Sequence, residues 1–193
     1  MNYSEIETLI QATNFLNNKN YLLAEKIINE NYPFVPTRSK GRHYTIKQMV
    51  AQFFRDGFID RYTGNRLLNP GILRILSEFL PNAFPYQAHG KTDECHIAYW
   101  DYQPTIDHIY PVSLGGKDTP ENWATTSMRN NLAKSNSTLE QIGWTLKSPG
   151  DIHYWDGLSK TFIEIVEENP SLLKINRIKN YYTATKNEIK QLF

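Results

Sequence analysis

Cysteine is almost absent from this sequence of 193 residues, which contains only Cys95. A single cysteine excludes a disulfide within the chain and any zinc site built from several cysteines. Long apolar runs are also missing, since no stretch approaches the roughly 18 uninterrupted apolar residues of a membrane-spanning helix. The first residues, MNYSEIETLI, lack the basic-then-apolar order of a secretory signal peptide. We therefore expect a cytoplasmic protein without membrane segments.

An excess of charge of either sign is missing as well. The formal net charge is +1, so no strong overall field favours a polyanionic partner. One stretch departs from this balance, because residues 38–66 contain seven basic side chains and two acidic ones. Such a local excess is typical of a nucleic-acid contact, and an ordinary solvated surface can have the same composition.

Apolar residues make up 40% of the chain, enough for a globular core, and their spacing predicts helices near both ends. Two capping boxes precede apolar stripes at helical spacing: Ser4 with Glu7, and Thr45 with Gln48. Further helices are predicted over residues 21–28, from Pro70 onward, over about 156–168 and over about 176–192.

The middle of the chain has a different pattern. Residues 95–112, CHIAYWDYQPTIDHIYPV, are rich in β-branched and aromatic side chains, which predicts two extended pieces separated by Pro104. Strands are expected over residues 105–110 and 122–126, followed by a helix from Met128. Pairing of these strands would bring the end of the first strand close to the start of that helix.

Polar residues are concentrated at this predicted junction. An oxygen from Asp107 and an amide oxygen from Asn131 would form a sparse site that suits Mg²⁺ or Mn²⁺. A neutral His108 could take a proton from water near neutral pH, although on a regular strand it points away from Asp107, so both can act only if the backbone twists or bulges. Taken singly, each of these residues is more typical of a turn, a cap or a buried polar group than of a functional site.

Their joint order resembles a known family. The pieces DHIYPVSLGG, ENW and RNNLAKSN resemble the HNH endonuclease motif of the ββα-metal nucleases. His108, Asn122 and Asn131 fall on its three named positions, with spacings of 14 and nine residues that are similar to those of the HNH domain in RNA-guided CRISPR nucleases. The upstream DRYTGNRL also resembles the Cys-x-Tyr-Thr-Gly turn of many members, so the resemblance covers about residues 60–136.

The resemblance implies an α+β fold with a ββα-metal (HNH) core and flanking N- and C-terminal helices. We divide the chain accordingly into an N-terminal helical segment (1–37), a nuclease domain (38–150, motif core 105–136) and a C-terminal helical extension (151–193).

The resemblance also implies a role for each motif residue. His108 would be the general base, and Asp107 and Asn131 would ligate one Mg²⁺ or Mn²⁺. Asn122 would hold the loop and orient the segment that bears the histidine. Lys134 and Arg129 would contact phosphate, and a solvated helix charge is the alternative for both.

The sequence departs from the family at its zinc-binding cysteines. Asp60 and Asn130 stand where many members have cysteine. The departure implies that structural zinc is absent and that packing replaces it. The expected replacement is a cluster of four aromatic residues: Tyr99, Trp100, Tyr102 and Trp123.

The function implied is a divalent-metal-dependent endonuclease that hydrolyses DNA phosphodiester bonds, of a bacterial restriction or defence type. Its substrate would be double-stranded DNA, and a palindromic cutter would be a homodimer. Two alternatives stay open. A relatively non-specific, toxin-like nuclease is disfavoured by the small net charge, and a DNA-binding module with a non-catalytic HNH core is disfavoured by competent residues at every motif position.

Overall fold

The computed structural model describes residues 4–34, 43–88 and 90–192 of the chain. The chain divides into two compact units, Met1–Gly41 and Arg42–Phe193. In the first unit, helices α1 (Glu5–Asn17) and α2 (Tyr21–Asn31) pack against each other. The capping box predicted at Ser4 is present, since Ser4 and Glu7 exchange side-chain and backbone hydrogen bonds. Both predicted helices of this unit are confirmed.

The second unit is a mixed α+β fold. Its helices are α3 (Ile46–Arg55), α4 (Pro70–Phe79), α5 (Ala98–Asp101), α6 (Met128–Lys134), α7 (Ser159–Glu168) and α8 (Asn176–Leu192). The capping box at Thr45 begins α3, and Pro70 is the first residue of α4, as predicted. Short 3-10 turns cover Val112–Leu114, Pro120–Asn122 and Pro170–Lys174.

The sheet has two antiparallel strands, β1 (Pro104–His108) and β2 (Trp123–Ser127). Their register pairs Ile106 with Thr125 and His108 with Trp123, without a bulge. Helix α6 follows β2 directly, because Ser127 ends the strand and accepts a hydrogen bond from the backbone N–H of Asn130 as the helix N-cap. The strand–strand–helix order predicted for the motif is therefore present.

The main core lies beneath this sheet. Helix α3 contacts both strands and packs against α8. Three phenylalanines are fully buried in the second unit, Phe53, Phe58 and Phe162. A Cβ at Gly71 of α4 would lie 2.3 Å from the ring of Phe162 in α7, so only glycine permits this approach. Helix α8 thus packs against both α3 and α4, and α7 packs against α4. The predicted boundaries at residues 37 and 150 stay a prediction.

The expectation for residues 95–103 is wrong. Only the part from Pro104 onward is a strand, and Ala98–Asp101 forms the short helix α5. Tyr99 of this helix is buried, and its hydroxyl donates a hydrogen bond to the carbonyl oxygen of Leu73 at 2.9 Å. Packing against α4 has overridden the strand propensity of the aromatic residues.

The four predicted aromatic residues do not form one cluster. Trp123 packs edge-on against Tyr44 in the main core, at 5.0 Å between ring centroids. Tyr99 and Trp100 belong to a second, smaller apolar cluster, and Tyr102 is 47% exposed. Something other than this cluster must therefore brace the motif. Within the described part of the chain, no helix has the length and apolar character needed to cross a bilayer.

Candidate active site

The loop between the strands is held in one conformation by glycine and asparagine. Gly115 has a φ of +95°, and a Cβ at Gly116 would lie 2.1 Å from the carbonyl oxygen of Tyr110. The Asn122 amide accepts a hydrogen bond from Tyr110 N and donates to the carbonyls of Tyr110 and Lys117, each at 2.8 Å. These three bonds close the loop across its base, next to His108.

His108 is the last residue of β1 and is almost fully buried, at 4% exposure. Its Nε2 lies 2.8 Å from Oδ1 of Asp118 and 3.2 Å from the hydroxyl of Tyr44. Asp118 comes from the loop between the strands, and Tyr44 precedes α3. The imidazole is thus held from two separate segments of the second unit.

Asp107 has a different set of partners. Its Oδ2 accepts a hydrogen bond from the Tyr62 hydroxyl at 2.6 Å and lies 2.9 Å from the ammonium of Lys134. Burial, followed by the negative charge of Asp107, raises the pKa of the Tyr62 hydroxyl well above its usual range. Tyr62 therefore remains a neutral donor to Asp107. No described residue donates a hydrogen bond to the other oxygen, Oδ1.

A cleft of about 330 Å³ opens beside the end of β1. Asp107, His108 and Asn131 all line it, together with Tyr44. The side-chain amide of Asn131 is half-buried, and its Nδ2 approaches the carbonyl of Ile106 at 3.5 Å, so its Oδ1 is not engaged there. The two residues predicted to face each other from β1 and α6 therefore border one cleft. The bulge expected between Asp107 and His108 is absent. Both residues line the cleft although their strand pairing is regular.

The sequence of this region matches the HNH endonuclease family model over residues 91–137. Residues 91–137 are an HNH endonuclease domain. This domain indicates nuclease activity on nucleic acid. HNH nucleases generally use divalent metal ions. The comparisons with curated proteins and with solved structures gave no match.

The position of Lys134 in the HNH domain corrects both expectations for it. The side chain is completely buried, so it neither reaches phosphate nor forms a solvated charge. Its ammonium donates to the carbonyl of His108 at 2.7 Å and pairs with Asp107. Lys134 thus joins α6 to the end of β1. Arg129 is half-exposed and pairs with Asp101.

A buried carboxylate braces the HNH domain at the positions where many members have cysteine. Asp60 is 1% exposed, and its Oδ2 accepts a hydrogen bond from the amide of Asn130 at 2.8 Å. The same oxygen accepts from Thr126 Oγ1 and Ser127 N, while Oδ1 accepts from Tyr62 N and Thr63 N. The upstream turn, the end of β2 and the start of α6 are thereby joined by one side chain.

A second buried carboxylate, that of Asp56, lies four residues before Asp60 in the sequence. Asp56 accepts hydrogen bonds from Thr125 N and from Gln52, and pairs with Arg61 at 2.7 Å. Arg55, from the same basic stretch, donates to the carbonyl of Trp123. Part of the charge excess over residues 38–66 is therefore used inside the fold. Three further basic residues of this stretch, Arg38, Lys40 and Arg42, lie outside the described residues.

The donor set around the cleft of the HNH domain contains few carboxylates. Within residues 4–34, 43–88 and 90–192, no group of three or more His, Cys, Asp or Glu side chains is placed to hold a metal ion. The oxygens available are Oδ1 of Asp107 and Oδ1 of Asn131. These hard donors fit a Mg²⁺ or Mn²⁺ ion that keeps several waters and gains ligands from substrate phosphate.

Three residues around the site were missed by sequence reasoning: Tyr44, Tyr62 and Asp118. Tyr62 belongs to the recognised DRYTGNRL piece, but its contact with Asp107 spans 45 residues of sequence. Asp118 sits four residues before Asn122, where it is indistinguishable from a turn residue. Tyr44 lies directly before the N-cap of α3, and nothing in the sequence around it indicated a contact with the site.

Proposed function

We propose that the chain is a divalent-metal-dependent HNH endonuclease that hydrolyses DNA phosphodiester bonds. The observation that supports this most strongly is the shared cleft of Asp107, His108 and Asn131 at the end of β1. A general base and two oxygen ligands around one space wide enough for a phosphate are the parts that hydrolysis requires.

In this proposal His108 takes the proton of the attacking water, and Asp107 and Asn131 hold Mg²⁺ or Mn²⁺. When bound, the ion stabilises negative charge on the phosphate and on the departing 3′ oxygen. Asn122 acts indirectly, because its three hydrogen bonds close the loop that follows His108. Lys134 and Tyr62 act by fixing Oδ2 of Asp107, so that Oδ1 is the oxygen that would hold the ion.

Lys134 also affects the affinity of the site for the metal ion. Its ammonium lies 2.9 Å from the same carboxylate that would hold the ion, and so reduces the attraction for a second cation. We infer a weak affinity for the free ion, with binding completed by substrate phosphate. The alternative of a DNA-binding module with a non-catalytic HNH core is favoured by this same contact.

The test uses plasmid DNA with Mg²⁺ or Mn²⁺ and compares three proteins: the unchanged chain, His108→Ala and Asp107→Asn. We expect His108→Ala to lower the cleavage rate at least about a hundredfold with unaltered DNA affinity, because only proton transfer is lost. Asp107→Asn should raise the Mn²⁺ concentration needed for half-maximal rate. His153→Ala, an exposed histidine outside the HNH domain, is the matched control and should cleave normally.

Cleavage at an unchanged rate by His108→Ala would disprove its role as base. DNA binding without cleavage under any divalent ion would favour the non-catalytic alternative. Sequencing of the product ends separates a restriction-type nuclease, which gives one recurring sequence, from a toxin-like nuclease, which gives scattered ends. Paired breaks symmetric about a palindrome would support a homodimer acting on double-stranded DNA.

A further inference from the structure

Asp118 receives three hydrogen bonds on a single oxygen. Its Oδ1 accepts from Nε2 of His108 at 2.8 Å, from the Tyr44 hydroxyl at 2.8 Å and from Nε1 of Trp123 at 2.9 Å. The three donors come from the end of β1, the start of β2 and the segment before α3. An exposed loop aspartate that only caps a turn has no need of this arrangement.

The charge of Asp118 is maintained by these donors. Partial burial acts to raise the pKa of the Asp118 carboxyl, and the hydrogen bonds from His108, Tyr44 and Trp123 outweigh it, so that the pKa is lowered. Asp118 is therefore an anion at any pH at which a histidine can act as a base. Its Oδ2 receives no hydrogen bond from the described residues.

An anionic oxygen determines which nitrogen of a neutral imidazole carries the proton. Because a carboxylate can only accept, the hydrogen atom between Asp118 and His108 belongs to Nε2. The lone pair of neutral His108 is then on Nδ1. The nearby Tyr44 hydroxyl donates its own hydrogen to Asp118 and leaves this assignment unchanged.

We propose that Asp118 is a positioning residue that holds His108 as the Nε2–H tautomer, which makes Nδ1 the nitrogen that accepts the proton. The base role of His108 rests on the proposed function. A water oxygen forms the new bond to phosphorus and passes its proton to Nδ1. The bond from phosphorus to the 3′ oxygen breaks with its electron pair, and that oxygen takes a proton from solvent. The imidazolium, stabilised by the Asp118 carboxylate, later returns its proton to solvent.

The loop between the strands is built so that it places Asp118 beside His108. Asn122 donates to the carbonyl of Lys117, the residue before Asp118. Gly116 permits the tight approach to Tyr110 that brings this segment back toward the sheet. Gly116 and Asn122 thus place Asp118, and Asp118 places His108.

The competing explanation is that Asp118 merely ties the loop to Tyr44 and Trp123. Asp118→Asn separates the two, because asparagine keeps the size and one acceptor oxygen but loses the charge and gains a donor. Glu121→Gln is the matched control, since it removes a fully exposed carboxylate of the same loop that does not contact His108. Tyr44→Phe removes a donor to Asp118 and serves as a second variant.

The first measurement is steady-state cleavage. We expect Asp118→Asn to lower kcat by about 10- to 100-fold with KM nearly unchanged, since substrate binding does not use Asp118. Tyr44→Phe should have a smaller effect in the same direction, and Glu121→Gln none. An unchanged kcat in Asp118→Asn, or a loss confined to KM, would overturn the proposal.

The second measurement is independent of cleavage. Nitrogen-15 spectra of the folded protein at about pH 8.5, where an ordinary histidine is neutral, report the tautomer directly. The resonances of His108 are those missing in His108→Ala. We expect a proton on Nε2, and a shift toward the Nδ1–H form in Asp118→Asn. A proton on Nδ1 in the unchanged protein would overturn the positioning role even if DNA is cleaved. The expected shift in a protein that cleaves no DNA would leave that role intact and refute the proposed function instead.

Discussion

Two regions around the small sheet contain buried or half-buried carboxylates, and they differ in how their oxygens are used. Along the outer edge of β2, Asp56 and Asp60 are 0% and 1% exposed, and both oxygens of each accept hydrogen bonds from protein groups. At the end of β1, Asp107 and Asp118 each have one oxygen bonded and one without a donor among the described residues. A carboxylate that has both oxygens bonded to protein groups is part of the structure, whereas the free Oδ1 of Asp107, which lines the cleft, is available for chemistry.

We expect the largest loss of stability in the region of Asp56 and Asp60, where both oxygens of each carboxylate accept hydrogen bonds. Asp60→Ala would leave three backbone N–H groups and the amide of Asn130 without their acceptor. We expect a loss of about 4 kcal/mol in the free energy of unfolding, measured by denaturant titration. Asp93→Ala, an exposed aspartate, is the control and should change stability by less than about 0.5 kcal/mol. A loss below about 1 kcal/mol for Asp60→Ala would remove the contrast between the regions.

The next effect concerns the buried contact between Lys134 and Asp107 at the end of β1. Lys134→Met keeps the length of the side chain and removes its charge, so Asp107 loses its buried partner. We expect a loss of about 3 kcal/mol in unfolding free energy, together with several-fold tighter Mn²⁺ binding in a direct titration. The variant is thus expected to lose stability while its affinity for Mn²⁺ increases. Weaker Mn²⁺ binding by the folded variant would show that Asp107 is not a ligand.

The smallest effect is expected at Tyr62. Tyr62→Phe removes one donor to Asp107 and should cost about 1 kcal/mol at neutral pH. Because the pKa of Tyr62 is raised in the folded state, its contribution is complete below the ordinary tyrosine pKa of about 10 and is lost as the pH rises above that value, where only the unfolded chain ionises readily. The variant should therefore lose less stability than the unchanged protein between about pH 9 and pH 11. Parallel curves in alkaline denaturation experiments would contradict the raised pKa.

Sequence reasoning predicted the parts of this protein that depend on neighbouring residues. The caps at Ser4 and Thr45, the first residue of α4 and the strand–strand–helix order of the HNH domain all follow from local patterns. The motif positions also predicted that His108 and Asn122 lie at one junction, and in the structure the Asn122 amide bonds the loop next to His108.

The failures have one physical cause, which is that the decisive contacts join distant parts of the chain. Asp60 was recognised only as a missing cysteine, because its partner Asn130 is 70 residues away. Lys134 has the helical position of a surface charge, and only Asp107 on another element explains its burial. The residues of α5 have strand propensity, but packing against α4 decides their conformation.

The hydrogen bonds of Asp56, Asp60 and Arg61 have a consequence for association between molecules. A two-stranded sheet normally offers its outer strand as a template on which another chain can add a strand. In β2 the outward-facing groups are already occupied: Thr125 N by Asp56, Thr125 O by Arg61 N, Ser127 N by Asp60, and Trp123 O by Arg55. Growth of the sheet across β2 is therefore blocked, so another chain cannot add a strand at this edge.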